Sequence, residues 1–346
     1  MVLTSREEQN SAYRSAPHFS FIFRLSSLIV FGTRHAILPC VGPLIRPRSI
    51  TRQAHVAVLA ASSPSELPRI EEACRHLEAM GLRVTLADNL GHHHRGYLAG
   101  SDDERAEQFN RFMNSPEFGA FLFARGGYGA MRILNQLDYD AIRRNPRPII
   151  GFSDVTALHQ AIAIRSNVAT FHGPMVNLDF YNGLSPERDR WFWSMLSGES
   201  PMTYTFASND VVQEGEAEGT LFGGCLSLTA ALAGTPFDYW VDGGIWFWED
   251  VEEPPYRIDR MLTHLRLSGR IESIRGVIIG KLKGCGSEED LDALLRECFG
   301  SDRIPVIRNV PFGHLGDNLL MPIGAPVRLS TRNNTFTITA PVVERS

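Results

Sequence analysis

The sequence predicts an α/β protein with an N-terminal parallel-sheet (Rossmann-like) domain followed by a C-terminal β-rich, barrel-like domain. Three observations carry this. Between residues 55 and 165, short apolar runs alternate with amphipathic stretches, the strand–helix–strand pattern of a parallel sheet covered by helices. Between residues 184 and 210 the pattern weakens and Ser, Pro, Gly and Asp concentrate, as at a domain boundary. Beyond residue 213, several short apolar runs stand between glycines and prolines, as in a sheet-rich unit. The expected divisions are an extension over 1–52, a first domain over 53–185, a linker region over 186–212 and a second domain over 213–346.

Taken in order, the first strand is the apolar run 55–61. Ser62-Ser-Pro-Ser opens a helix over 66–80 that closes at Gly81, and 82–86 is a second strand with alternating faces. A polar amphipathic helix covers 102–112. Strand 118–123 leads into Arg125-Gly-Gly-Tyr-Gly129, and 130–137 returns to helix. Strand 148–151 runs into Ser153 and a helix over 154–165, with Val155, Leu158, Ala161 and Ile162 at helical spacing. Residues 170–174 form a short strand and turn. A short aromatic helix lies near Trp191-Phe-Trp193. In the second half, 218–224 precedes a small helix over 226–233, and 244–248 is a strand ending at Glu249. Residues 257–268 are helical, and 276–280, 305–308, 325–329 and 335–339 are strands.

Composition excludes several classes. A hydrophobic share of 43% and a charged share of 21% are those of an ordinary globular chain. The net charge of -5 leaves no basic footprint for nucleic acid or an acidic membrane surface. The five cysteines, at 40, 74, 225, 285 and 298, are odd in number and form no C-x-x-C, against a disulfide framework or a zinc knuckle and in keeping with a cytoplasmic protein. The first 52 residues hold seven Arg against two Glu and no sustained periodicity; they read as a disordered extension or a misplaced start.

Ser153 draws attention because a serine on a strand-to-helix turn has its hydroxyl lifted clear of the sheet. The unpaired N–H groups of the helix start lie beside it and can stabilise an oxyanion. Gly151 precedes it by two residues, while Val155 stands where G-x-S-x-G would have its second glycine. The same residues suit an N-cap, with Asp154 in the first turn, and both readings stay open at this level. A nucleophilic serine needs a base. His159 lies six residues further along the helix and points elsewhere. His92-His-His94 are adjacent, which rarely lets them converge on one ion, and no H-E-x-x-H occurs, so no metal and no other cofactor is expected. His172, in Phe-His-Gly-Pro, and His314, in a Gly-rich loop after a strand, remain; the loop setting inclines toward His314 without closing the choice. Among acids, Glu249 ends an aromatic strand and wants a cationic or N–H partner, with a solvated strand end as the alternative. Asp250, Glu252 and Glu253 fit the solvated description better. Arg125-Gly-Gly-Tyr-Gly129 fails the dinucleotide fingerprint, because Arg132 takes the last glycine position, but its glycines still let a ligand approach backbone N–H groups.

Six stretches together resemble the LD-carboxypeptidase family of serine peptidases, which includes muramoyl-tetrapeptide carboxypeptidases and microcin C self-immunity peptidases. They are Arg125-Gly-Gly-Tyr-Gly-Ala-Met-Arg132, Gly151-Phe-Ser-Asp-Val-Thr156, His172-Gly-Pro174, Glu218-Gly-Thr-Leu-Phe-Gly-Gly224, Glu249-Asp250 with Pro255-Tyr-Arg-Ile-Asp-Arg260, and Pro311-Phe-Gly-His314. They run in the family's order from roughly residue 55 to the C-terminus. The resemblance implies a Ser–His–Glu triad at Ser153, His314 and Glu249, and an oxyanion hole from the backbone N–H of Asp154 and of Gly126 or Gly127. Arg125, Tyr128, Arg132 and His172 are the expected substrate contacts, with Arg125 and Arg132 as candidate holders of the terminal carboxylate. The expected partner is a small peptide, a muropeptide, with no nucleic acid and no membrane, acted on by a cytoplasmic homodimer. The alternative within the resemblance is a peptidyl or aminoacyl nucleotide analogue. Cys225 stands where the family usually has Asn, which bears on specificity and leaves the triad untouched.

Overall fold

The computed structural model describes residues 43–300 and 303–345. The first half alternates as expected: β1 (His55–Leu59), α1 (Leu67–Ala79), β2 (Arg83–Leu86), α2 (Asp102–Asn114), β3 (Ala120–Phe123), α3 (Ala130–Ile133), α4 (Tyr139–Arg144), β4 (Ile149–Gly151), α5 (Thr156–Ser166) and β5 (Thr170–His172). Strands β1 to β5 are parallel, and β1, β3, β4 and β5 are almost wholly buried, which is why they read as continuous apolar runs. Local signals set the helix starts. Ser101 and Glu104 form a capping box on α2, whose first turn holds Asp102, Asp103 and Glu104.

The expected extension over 1–52 ends earlier than residue 52. Leu44 and Ile50 are buried, Ile45 bridges Val168, and the Ile50 N–H donates to the Leu196 carbonyl at 2.9 Å. These apolar residues are isolated between prolines and arginines, so no periodicity announced them. The remainder of that extension lies outside the described residues. The expected linker is also structured. It holds α6 (Pro186–Ser197), capped by Ser185 and closed by Gly198, then β6 (Met202–Thr205) and β7 (Val211–Gln213).

The second half continues with β8 (Glu216–Cys225), α7 (Leu226–Leu232), β9 (Ile245–Glu249), α8 (Pro255–Leu267), β10 (Gly276–Gly280), α9 (Glu288–Phe299), β11 (Val306–Val310), β12 (Met321–Ile323), β13 (Pro326–Ser330) and β14 (Thr335–Ile338). An eight-stranded sheet runs β6-β14-β13-β8-β9-β10-β11-β7. Its centre, β8 to β11, is parallel, with α7, α8 and α9 as crossovers, so this half repeats α/β logic inside a β-rich frame. β12 crosses back to pair antiparallel with β5, completing a six-stranded sheet of order β12-β5-β4-β3-β1-β2.

One apolar cluster contains Val56, Val58 and Ile150 of the first sheet together with Phe222, Trp246 and Trp248 of the second. The opposite face of the first sheet is covered by α2 to α5 through Phe109, Ile133, Ile142 and Leu158. The α5 helix is buried nearly all round, with only Ile164 and Arg165 less enclosed, which accounts for its weak amphipathicity. In parallel α/β sheets, ligands bind beyond the carboxyl ends of strands. Here the carboxyl end of β4 leads to Ser153, that of β9 is Glu249, and that of β11 leads to His314.

Candidate active site

Ser153 follows an extended Phe152 and takes φ +64°, then a tight turn over Ser153–Val155 enters α5. Positive φ is unfavourable for a residue with a side chain, so surrounding structure must hold it there. The glycine turn after β3 does so from above. A Cβ added to Gly126 would lie 2.8 Å from Ser153 Oγ and 3.2 Å from the Asp154 nitrogen, so only glycine lets the chain close over the hydroxyl. Gly127 packs against Ser63, whose Oγ accepts the Tyr128 N–H at 3.2 Å.

Asp154 fixes the same turn by its side chain. Buried, it accepts the Ser62 O–H at 2.6 Å and the Ala130 N–H at 2.8 Å. Burial raises its pKa against the pull of those donors. Arg105, fully buried and paired with Asp102, donates to the carbonyls of Ala61 and Gly129.

Glu249 is fully buried at the end of the aromatic strand β9, and its Oε2 accepts from His314 Nδ1 at 2.8 Å. A carboxylate only accepts, so Nδ1 carries the proton and Nε2 is left to accept from Ser153 Oγ, 3.0 Å away. Burial pulls the His314 pKa down, but Glu249, with lesser help from Asp250 and Asp179, more than offsets this and the net shift is upward. Phe152 meets the imidazole edge-on at 5.0 Å. Gly313 lies against the acid: a Cβ there would be 2.3 Å from Glu249 Oε2. The loop carrying His314 closes on itself where the Leu319 N–H donates to the Pro311 carbonyl at 2.8 Å.

The other expected contacts separate. His172 is fully buried, packed among Phe152, Phe247 and Phe312, with neither ring nitrogen partnered. It is a core residue here and lines no open cleft; burial holds its pKa well below the ordinary value. The Arg132 guanidinium is committed to both oxygens of Asp102, at 2.6 to 3.0 Å. Arg125 donates to the Pro64 carbonyl at 3.3 Å and stays half-buried. Tyr128 is 51% exposed and pairs with Tyr97, ring centroids 5.8 Å apart, a neighbour the sequence had not singled out.

Asp250 is no solvated strand end. It is buried and accepts the N–H groups of Ser227 and Val251 at 2.8 and 2.9 Å, capping α7. Cys225 is buried beside it, its N–H donating to Thr156 Oγ1 at 3.0 Å. Among the described residues no group of three or more His, Cys, Asp or Glu side chains is placed to hold a metal ion. Two further residues had no sequence signal: Asp179, fully buried, and Asn318, which donates to it at 2.8 Å.

Comparison with known proteins gives this geometry a context. The LD-carboxypeptidase N-terminal domain model matches residues 56–173 and the LD-carboxypeptidase C-terminal domain model matches 218–329. A probable murein peptide carboxypeptidase of Bacillus subtilis is 34% identical over 306 residues, 86% of this chain and 96% of its own length. The crystal structure of a muramoyltetrapeptide carboxypeptidase from Oxalobacter formigenes is 28% identical with a TM-score of 0.74, covering 84% of this chain and 99% of that one. MccF, solved in complex with glutamyl sulfamoyl guanosine, has a TM-score of 0.80 at 24% identity, covering 86% and 99% of the two chains, and so shares the fold. With both halves matched and a relative at this identity along most of its length, the chain belongs to the LD-carboxypeptidase family.

Proposed function

We propose that this protein is a serine carboxypeptidase that removes a C-terminal D-amino acid from a muropeptide, cutting after an L-configured centre. The observation that carries the reading is the hydrogen-bonded line from Ser153 Oγ through His314 to Glu249, at 3.0 and 2.8 Å, in a chain whose relatives are named as murein peptide carboxypeptidases. Ser153 Oγ attacks the scissile carbonyl while His314 Nε2 takes its proton. The carbonyl oxygen becomes an oxyanion, held by the Asp154 N–H and by that of Gly126 or Gly127. Glu249 keeps the ring oriented and stabilises the imidazolium. The C–N bond then breaks, and the leaving D-amino acid takes the proton from His314. Water, deprotonated by the same histidine, hydrolyses the acyl-enzyme.

Tyr128 and Arg125 are the substrate contacts most available to a peptide, since Arg132 is already paired. We assign the reaction to a cytoplasmic homodimer; sedimentation of the full chain tests the dimer. No helix among the described residues is long and apolar enough to cross a membrane. The route calls on no metal, and turnover is expected to survive a chelator; loss with EDTA and recovery with zinc would overturn it.

The deciding assay incubates the chain with muramyl tetrapeptide and, separately, with an aminoacyl-sulfamoyl adenylate. Release of a free D-amino acid from the first supports the proposal. Cleavage of the second alone makes the protein a self-immunity type peptidase. Binding of the tetrapeptide without cleavage of either makes it an inert muropeptide-binding relative.

A further inference from the structure

His314 rides on the segment that leaves β11 in the second sheet and enters β12 in the first. Several anchors of this base loop lie in the turn after β5 and in α6 with its cap. Asp317 Oδ1 accepts the Ser185 N–H at 2.8 Å, and Trp191 Nε1 donates to the Leu320 carbonyl at 2.9 Å. The deepest anchor is Asp179, fully buried in a wide π turn, Val176–Phe180, just after β5. One of its oxygens accepts the Met175 N–H at 2.8 Å. The other accepts the Asn318 side-chain N–H at 2.8 Å and its backbone N–H at 3.3 Å. Asn318 is itself buried, four residues after His314. Removing a carboxylate from water is costly, and here its donors come from two segments that meet at the base.

We propose that Asp179 is a positioning residue: as a carboxylate it ties the base loop, through Asn318, into the register that sets His314 between Ser153 and Glu249, and its charge supports the imidazolium. This rests on the serine-peptidase reading above. The groups facing the turn are few. From α1, Arg69 Nε donates to the Asn177 carbonyl at 2.9 Å, and His76 Nδ1 lies 2.8 Å from the Phe180 carbonyl. From the base loop come Asp317 and His314, with Glu249 and Asp250 beyond the imidazole. Burial lifts the Asp179 carboxyl to about 6 against the pull of its N–H donors, so it is charged at neutral pH and neutral in mild acid. On protonation the charge-assisted bonds to Asn318 weaken to ordinary ones, and one negative charge near His314 is lost.

The test uses the full chain with Asn318→Ala and Asp179→Asn. The first readout is the rate at which a fluorophosphonate labels Ser153 between pH 5 and 8, which needs the base but no peptide recognition. The second is kcat and KM on muramyl tetrapeptide. Asn318→Ala cuts the side-chain tether and, by removing a donor that holds the Asp179 pKa down, leaves that carboxyl more readily neutralised. It is expected to lower labelling and kcat about tenfold with KM within about twofold, and to move the acid limb in the same direction as Asp179→Asn but no further. Asp179→Asn is expected to slow both similarly and to move the acid limb to lower pH, because it removes a charge that raises the His314 pKa. Wild-type rates in both variants, a change in KM alone, or an unmoved limb in a folded Asp179→Asn would each overturn the proposal. Should Asp179→Asn fail to fold by circular dichroism, Asn318→Ala decides: slowed labelling upholds the tether and an unchanged rate sinks it. Failure of the substrate reading is distinct. A wild-type chain that labels at Ser153 but releases no D-amino acid loses that reading and keeps this test, whereas one that never labels loses both.

Discussion

The two sides of the site are built by different means. On the serine side the main chain does most of the placing, braced by the Asp154 carboxylate. A positive φ at Ser153 and a glycine turn closing onto it fix where the hydroxyl and the Asp154 N–H stand. On the base side the placing is done by side chains. Glu249 is enclosed by the aromatic strand β9, and His314 is aimed by hydrogen bonds to Glu249 and by an edge-on contact with Phe152. The difference teaches what each side depends on: the first on a strained backbone turn closed by glycine, the second on a buried acid and its hydrogen bond to the imidazole. The His314 pKa is raised chiefly by Glu249, which it touches, with smaller contributions from Asp250 and Asp179.

The largest effect comes from removing both sides at once. Ser153→Ala is expected to cost about 10⁴-fold or more in kcat with folding unchanged, His314→Ala about as much, and the pair little more than either, since residues acting as one unit are non-additive. A Ser153→Ala variant retaining more than about a tenth of wild-type kcat would remove the nucleophile assignment. Next, Glu249→Gln should lose about 10²- to 10³-fold in kcat while moving the acid limb of kcat/KM to lower pH. The sign follows from the free enzyme needing a neutral base: Glu249 raises the His314 pKa, so without its charge burial prevails and the limb falls. In the wild type that limb is expected above the ordinary histidine value of about 6.5.

Gly126→Ala tests the other side. The added carbon would lie 2.7 Å from Ser153 Cβ, forcing the turn away, and should cost about 10²-fold in kcat with the acid limb unmoved. A limb that moved as far as in Glu249→Gln would mean that the two sides are not separable in this way. The smallest effect is expected at Asp250→Asn. Its carboxylate accepts two backbone N–H groups and lies beside Glu249, so the amide should cost about 1–2 kcal/mol of stability, seen as a lower melting temperature, and only a few-fold in kcat.

The same division explains what could be read in the sequence. Ser153 was legible because strand, glycine and helix period converge on it, and the turn between them leaves its mark on residue type. The sequence leaves the choice between His172 and His314 open, because each stands at or just beyond a strand end; the packing of Phe152, Phe247 and Phe312 that seals His172 involves residues from three distant segments. Asp250 reads as solvated in the sequence for the same reason, since its partner Ser227 is 23 residues away. The helix at 186–197 was glimpsed only at its tryptophans, and β6 and β7 are short edge strands whose pattern does not rise above that of a loop. Asp179 left no trace at all, because a buried acid is defined by what encloses it.

The return of β12 to the first sheet bears on how such a chain can be taken apart or recombined. A fragment ending near residue 212 would carry the nucleophile but leave β5 as an open edge, free to pair with another chain. The peptide that closes that edge is continuous with the one that delivers the histidine. Exchanging halves between two relatives therefore exchanges a border strand of the recipient's sheet along with the base. A working chimera has to match the incoming β12 to the resident β5, so the two halves are constrained to vary together at this strand pairing.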